Sequence, residues 1–195
     1  MGGRGFPYCT FINAEGEVVW EQRPSAADAF NAGLASAQKL VALKAELKKK
    51  PDDKVLAANV ALLDLSGRGQ RPKPSMDEIA VHAKVPGVDP ELVAKFEGMR
   101  KGETISAAMQ KYREDKGAAV YKLYQSKMLP DAGSPSLIGY YRYAAEGALE
   151  AGQAADALKL IDLFVEAGKG NPRMAERIQK DAESLRARAE ELKGK

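Results

Sequence analysis

Cys9 and His82 are the only cysteine and the only histidine in the chain, and their side chains are the ones best suited to nucleophilic or metal chemistry. A single cysteine excludes an internal disulfide and dithiol–disulfide exchange by this chain alone. One cysteine and one histidine also fall short of a Cys/His zinc site. No nucleophile motif surrounds His82, so we expect an ordinary surface or boundary histidine. Cys9 lies in an apolar β segment, where we expect a small buried hydrophobic residue.

Three of the pairs of adjacent acidic residues in the chain are further candidates for acid–base chemistry. They are Asp52 with Asp53, Asp77 with Glu78, and Glu190 with Glu191. All three pairs fall at helix starts or on solvated helix faces, where acids complement the helix dipole and favour solubility. The sequence therefore predicts no catalytic, cofactor or metal site, and it favours a protein that is not an enzyme.

The composition is typical of a soluble globular protein with one large domain or two small ones. Of the 195 residues, 45% are hydrophobic and 29% are charged. Lys and Arg number 30 against 27 Asp and Glu, an excess too small to favour a nucleic-acid partner. No run approaches the roughly 20 apolar residues that span a bilayer, and no signal peptide follows Met1. We expect no membrane span. The compartment stays open: cytoplasmic as the sequence stands, periplasmic or secreted if a longer natural N-terminus carries a signal.

Residues 8–22 are predicted to form a β-hairpin. Residues 8–12 are β-branched and aromatic, with apolar side chains on both faces, as in a buried strand. Residues 13–16 supply turn residues, and residues 17–22 form the second strand. A two-stranded hairpin with an apolar, unpaired edge needs a cover from the chain's own helices, from another chain or from a missing half of the domain.

The rest of the chain has helical periodicity. Residues 25–49 form a long helix whose apolar stripe is Phe30, Leu34, Ala37, Val41 and Ala45. Further helices are predicted over 53–65, from a Ser75/Glu78 capping box, from Asp89 and Pro90, over 104–127, near 136–151 and 154–168, and from Asn171 and Pro172. The sequence predicts a mainly α fold, with an N-terminal β-hairpin plus long helix followed by an α-helical bundle or a degenerate helical repeat.

The order of segments in residues 3–49 resembles the thioredoxin-like superfamily after its active-site half. In that family a loop ending in a cis proline leads into a central strand, a turn, an edge strand and a final helix. The resemblance implies a cis-proline loop at Phe6, Pro7 and Tyr8, although Tyr8 stands where the family has a small residue. The family's CxxC half would lie upstream of Met1, so no catalytic pair carries over. The implied domains are a partial thioredoxin-like segment over 1–50 and a helical domain over 51–195.

Residues 141–167 resemble a tetratricopeptide-type helix pair, near 136–168. Tyr141 is the bulky position, Ala144 and Ala148 are small positions on the first helix, and Gly152 falls at the turn. A plain antiparallel α-hairpin within a bundle is the alternative. Tyr140 and Tyr143 are expected to edge an interaction surface, because tyrosine is favoured at interfaces, with a core role for two of the three neighbouring tyrosines as the alternative.

Two functions follow from these resemblances. The first is a non-catalytic thioredoxin-like and helical-repeat protein that binds a protein or peptide partner, with self-association through the hairpin edge as a further expectation. The second is a fragment of a thiol–disulfide oxidoreductase whose CxxC half lies upstream of Met1.

Overall fold

The computed structural model describes residues 8–23, 26–170 and 172–194. Within these residues the elements are β1 (Cys9–Ile12), β2 (Val18–Gln22), α1 (Ala27–Lys49), α2 (Lys54–Ser66), α3 (Met76–Ala83), α4 (Pro90–Gln110), α5 (Tyr112–Asp115), α6 (Ala118–Gln125), α7 (Ser136–Glu150), α8 (Ala154–Gly168), one 3₁₀ turn (Pro172–Met174) and α9 (Ala175–Lys193). This order confirms the predicted mainly α fold with an N-terminal hairpin.

Contacts within the chain group it into two compact units, residues 1–98 and residues 99–195. This division falls well beyond the boundary predicted near residue 50, because α1 packs on α2 and α2 packs on α3. We refer to the two groups as unit 1 and unit 2. Helix α4 begins in unit 1 and ends in unit 2.

The hairpin pairs β1 with β2 in antiparallel register, with Thr10 opposite Glu21 and Phe11 opposite Trp20. Ile12 then pairs with Val18, so that Val19 is the extra residue of a bulge on β2. The expectation that β1 is buried on both faces was wrong. Cys9 and Phe11 are half-buried, and Thr10 and Ile12 are exposed. The described sheet has two strands, so β1 is an edge strand and lacks the layers that bury a central strand.

Helix α1 buries a different line of residues from the predicted apolar stripe. Its buried residues are Gly33, Ala37 and Leu40. Of the predicted stripe only Ala37 is buried, while Phe30, Leu34, Val41 and Ala45 are exposed. Helix α1 therefore has two apolar faces, one against α2 and β2 and one that leaves its large side chains exposed.

The hairpin is anchored to the end of α2 by Trp20. The indole is 4% exposed and lies against Gly67, where an added Cβ would overlap its ring. Asp64 holds the segment after Gly67, because its carboxylate accepts a hydrogen bond from Arg68 Nε (2.8 Å). The same carboxylate accepts a bond from Lys44 Nζ on α1 (3.2 Å). Strand β2 is thus fixed to the C-terminal end of α2 and to the loop that follows it.

Two predicted helix starts are confirmed. At α3 the Ser75 hydroxyl accepts the N–H of Glu78 (3.2 Å), and the Glu78 carboxylate accepts the N–H of Ser75 (2.7 Å). Pro90 opens α4, and the preceding Asp89 accepts the N–H of Glu91 (2.9 Å). Asp89 also accepts a bond from Lys39 Nζ on α1 (2.9 Å). These starts follow local patterns that need no tertiary partner.

Unit 2 is built around the helix pair α7 and α8, with α6 and α9 packed against it. The two helices meet at the predicted turn, where Gly152 has φ +70°. The core of unit 2 is apolar and rich in alanine. The fully buried residues of this core include Val120, Tyr140, Ala144, Ala145, Ala148, Ala157, Leu160, Ile161, Ala182 and Ala189. The small residues let the helices approach closely.

The long helix predicted over 104–127 is interrupted in the structure, where α4, α5 and α6 occupy this range. The chain leaves the helix at Lys116 (φ +51°) and Gly117 (φ +90°) before α6 begins. The cause is tertiary: an added Cβ at Gly117 would overlap the carbonyl oxygen of Tyr143, and one at Gly147 would overlap that of Gly117. Asp115 stabilises the break by accepting the N–H of Gly117 (2.9 Å).

Gly117→Ala should lower the free energy of unfolding by about 3 kcal/mol or more, because it adds steric overlap to an unfavourable φ. Gly152→Ala is the matched control, since Gly152 also has positive φ but has open space around its Cβ position. That variant should lose only about 1–2 kcal/mol. Urea unfolding of both variants and the wild type checks this, and equal losses would contradict the close α6–α7 approach.

Candidate functional site

An apolar groove in unit 1 lies between β1 and α1, and we call it the β1–α1 groove. Its volume is about 470 Å³. None of the residues that line it carries a charge. They are Thr10, Phe11, Ile12, Val19, Leu34, Ala37, Gln38, Val41 and Ala42. A concave, uncharged surface of this kind suits the binding of apolar groups.

Large apolar side chains stand exposed in and beside this groove. Ile12 is 64% exposed, Val41 43% and Leu34 36%. The ring of Phe30 packs on that of Phe11, which lines the groove, with centroids 5.4 Å apart. Val41 and Leu34 belong to the second apolar face of α1, while the first face is occupied by α2 and β2. Clustered exposure of this type marks interaction surfaces, whereas single exposed apolar residues are common on any protein.

The outer edge of β2 is closed by the loop after α2. The N–H of Glu21 donates to the carbonyl of Gly67 at 2.8 Å. The Arg71 guanidinium donates to the carbonyls of Val18 (3.0 Å) and Val19 (3.1 Å), and also to that of Gly67 (2.9 Å). The N–H of Glu21 and the carbonyls of Val18 and Val19 on this side of β2 are therefore paired.

The outer edge of β1 is open by contrast. Because the N–H of Glu21 points away from β1, Thr10 and Glu21 form a non-hydrogen-bonded pair of the antiparallel ladder. The N–H and C=O of Thr10 therefore point away from β2. Because the direction alternates along a strand, the N–H and C=O of Ile12 point the same way as those of Thr10. Among the described residues these groups of Thr10 have no partner. Such an edge offers a template for a further strand.

The Glu21 carboxylate joins β2 to the loop that closes its outer edge. It accepts the N–H groups of Gln70 (3.0 Å) and Arg71 (3.3 Å). A hydrogen bond from the Tyr8 hydroxyl is the largest influence and, with these N–H groups, lowers the pKa of Glu21 despite partial desolvation. Desolvation, followed by the bond to Glu21, raises the pKa of Tyr8.

The residues predicted for the cis-proline loop are only partly described. Phe6 and Pro7 lie outside the described residues, so the cis proline stays a prediction. Tyr8 is 39% exposed, and its hydroxyl accepts the N–H of Gln70 at 3.2 Å. Cys9 is half-buried rather than buried, because it lies on an edge strand. His82 is half-buried in the last turn of α3.

The expectation that Tyr140 edges an interaction surface was wrong. Tyr140 is fully buried, and its hydroxyl donates to the carbonyl of Met128 at 2.8 Å. Burial raises the pKa of this phenol well above its ordinary value. Tyr143 is half-buried and stacks on Tyr112 with ring centroids 4.0 Å apart. Helix α7 packs against both α6 and α8, which leaves Tyr140 on a covered face.

Polar side chains near Tyr143 pair with one another. Tyr112 donates to the Glu146 carboxylate, and Arg142 bonds Glu146 (3.2 Å) and Asp181 (3.1 Å). These bonds join α5, α7 and α9, so the charged groups stabilise the packing of these helices. Within the described part of the chain, no group of three or more His, Cys, Asp or Glu side chains is arranged to hold a metal ion.

No protein-family model matches the chain, and neither does any curated protein or solved structure. Within the described residues, no helix is both long enough and apolar enough to cross a membrane. The fold and the groove themselves define the class: a mainly α protein with an uncharged apolar groove beside an open strand edge.

Four of the five residues in the predicted apolar stripe of α1 are exposed, although the periodicity predicted a buried face. The signal that would have helped is a second apolar series, Leu40, Leu43 and Leu47, at helical spacing on another side of the same helix. A helix with two apolar series and one neighbouring layer must leave one series uncovered. The role of Arg71 at the β2 edge had no sequence signal, because it depends on where the loop folds back.

Glu21→Gln should make the thermal stability of the protein less sensitive to acid. The lowered pKa means that the carboxylate stabilises the fold above the unfolded-state pKa, and this contribution is lost as the pH falls through the folded-state pKa. The Tm of Glu21→Gln should therefore be below that of the wild type near neutral pH, and the gap should narrow below the ordinary glutamate pKa. Glu15→Gln, at an exposed turn position of the same hairpin, should follow the wild type throughout. A gap that stays constant with pH would contradict this role of Glu21.

Proposed function

We propose that this protein is a non-catalytic binding protein that holds an apolar segment of another protein in the β1–α1 groove. The observation that carries the proposal is the exposure of Ile12, Leu34 and Val41 around one uncharged concavity. Exposed apolar area is unfavourable in water, and a partner that covers it removes that cost.

The size of the patch sets the strength of binding that we expect. The exposed parts of Ile12, Phe30, Leu34 and Val41 amount to apolar area on the order of 300 Å². Burial of this area contributes about 7 kcal/mol at ~25 cal/mol per Å². Association costs consume much of this gain, so we expect reversible binding, roughly micromolar or weaker.

The wider architecture that we propose is a partial thioredoxin-like segment joined to a helical region with a tetratricopeptide-like pair. The order of β1, β2 and α1 supports the first part. The α7–α8 pair supports the second, with Ala144, Ala148 and Ala157 fully buried. Both architectures occur in proteins that bind other proteins, which agrees with the function proposed for the groove but does not by itself carry it.

A fragment of a thiol–disulfide oxidoreductase is the second candidate function. The open edge of β1 favours it too, because a preceding part of the same polypeptide would then supply the adjoining strand. The two candidates differ in one observation, an in-frame CxxC upstream of Met1. Such a motif would favour the oxidoreductase, and its absence would favour the binding protein.

Charge placed in the groove should abolish binding. The probe is a fluorescein-labelled peptide in which valine and threonine alternate, and fluorescence polarisation measures its Kd. Val41→Asp and Leu34→Asp should each raise the Kd by at least about tenfold, because an unpaired carboxylate would be buried under the peptide.

Val81 and Leu163 provide matched controls, since they are 60% and 37% exposed on α3 and α8, outside the groove. Val81→Asp and Leu163→Asp should leave the Kd within about twofold of the wild type. The proposal fails if the wild type shows no saturable binding, or if the controls lose affinity as much as the groove variants.

A further inference from the structure

We propose that the partner joins the hairpin as a third strand, hydrogen-bonded to β1 through Thr10, while its alternate apolar side chains cover the exposed face of α1. This inference rests on the function proposed above and specifies its ligand. The occupant is an extended, uncharged segment of another protein with an apolar residue at every second position.

The backbone of β1 is oriented for this addition. The N–H and C=O of Thr10 point away from β2, and no described residue pairs with them. The bulge of the hairpin places its extra residue, Val19, on β2, so β1 keeps a regular alternation. An incoming strand meets an N–H and a C=O at Thr10 in the geometry of an ordinary ladder.

Nothing in the sequence of β1 blocks such an edge. Proteins usually protect edge strands with proline, charged side chains or bulges. Residues 9–12 are Cys, Thr, Phe and Ile, and contain none of these. The other edge of the same hairpin is closed by Gly67 and Arg71, so strand addition is directed to β1 alone.

The dimensions of the groove fit a single strand. The exposed face of α1 between Leu34 and Val41 spans about 10 Å at ~1.5 Å per helical residue. An extended chain covers that length with about three to four residues at ~3.3 Å each. Three residues of β1, Thr10, Phe11 and Ile12, line the same groove. Apolar side chains at the first and third positions of the segment would then lie over α1.

The area of the patch argues against a globular partner or a second copy of this chain. A standard protein–protein interface buries about 800 Å² per partner, of which roughly 450 Å² is apolar, whereas this patch offers apolar area on the order of 300 Å². A strand compensates for the small area with backbone hydrogen bonds, which a folded surface laid over the groove would not make.

Backbone methylation of the valine–threonine probe tests the hydrogen bonds from the ligand side. In a strand, successive N–H groups point to opposite edges, so only one set faces β1. N-methylation of either the valines or the threonines should therefore weaken binding by at least about tenfold, while methylation of the other set leaves the Kd within about threefold. Equal effects of the two methylated probes would overturn strand addition.

Thr10→Pro tests the same bonds from the protein side. Proline removes the outward N–H of Thr10 without removing a hydrogen bond to β2, and proline is tolerated on edge strands. The Kd should rise by at least about tenfold, whereas Thr10→Val, which keeps the backbone N–H, should match the wild type. Circular dichroism and thermal unfolding of both variants check that the fold is kept, and the methylated probes decide the matter if Thr10→Pro does not fold.

The outcomes separate this inference from the function on which it rests. If Val41→Asp abolishes binding while Thr10→Pro and both methylated probes bind normally, the groove binds its partner without strand pairing and the inference is overturned. If Val41→Asp has no effect, the proposed function itself is overturned. A wild-type dimer in analytical ultracentrifugation that Thr10→Pro dissociates would identify a second copy as the occupant and overturn the partner segment proposed here.

Discussion

Trp20 packs directly against the backbone of Gly67, and the arrangement of unit 1 depends on this contact. A side chain at position 67 would overlap the indole. Because position 67 carries none, the Gly67 carbonyl reaches the N–H of Glu21 at 2.8 Å. Four residues later Arg71 lies close enough to bond the carbonyls of Val18 and Val19. One close approach thus closes the β2 edge and leaves β1 as the edge with unpaired backbone among the described residues.

The second constraint is that α1 has more apolar surface than its neighbours cover. The line through Gly33, Ala37 and Leu40 is buried, and the line through Leu34 and Val41 is exposed. The exposed line adjoins the open edge of β1, so the unpaired backbone groups of Thr10 and an uncharged apolar surface lie side by side. Each feature alone is ordinary. Together they supply the hydrogen bonds and the apolar contacts that bind an extended chain.

Unit 2 uses its polar groups differently. The Tyr112, Arg142, Glu146 and Asp181 side chains bond one another across helices, and the Tyr140 hydroxyl bonds the Met128 carbonyl. Buried or half-buried polar groups that are satisfied in this way stabilise packing and offer little to a ligand. In the same way, Arg68 and Arg71 are engaged by Asp64 and by backbone carbonyls. The candidate site is therefore the part of the described chain where apolar and backbone groups remain uncovered together.

The sequence alone predicts the hairpin, most of the helices and the starts of α3 and α4, because turn residues, 3.6-residue periodicity and the Ser75/Glu78 pair act through near neighbours in the chain. It also determined that Cys9 and His82 stand alone. Local patterns do not predict the helix break at Gly117, the burial of Tyr140 or the exposure of Leu34 and Val41. Each of these depends on which distant segment approaches a given face: the α7 backbone reaches Gly117, α7 packs between α6 and α8, and α2 covers one side of α1. Periodicity shows that a helix has an apolar face, but the neighbours that fold against it decide whether that face becomes core or binding surface.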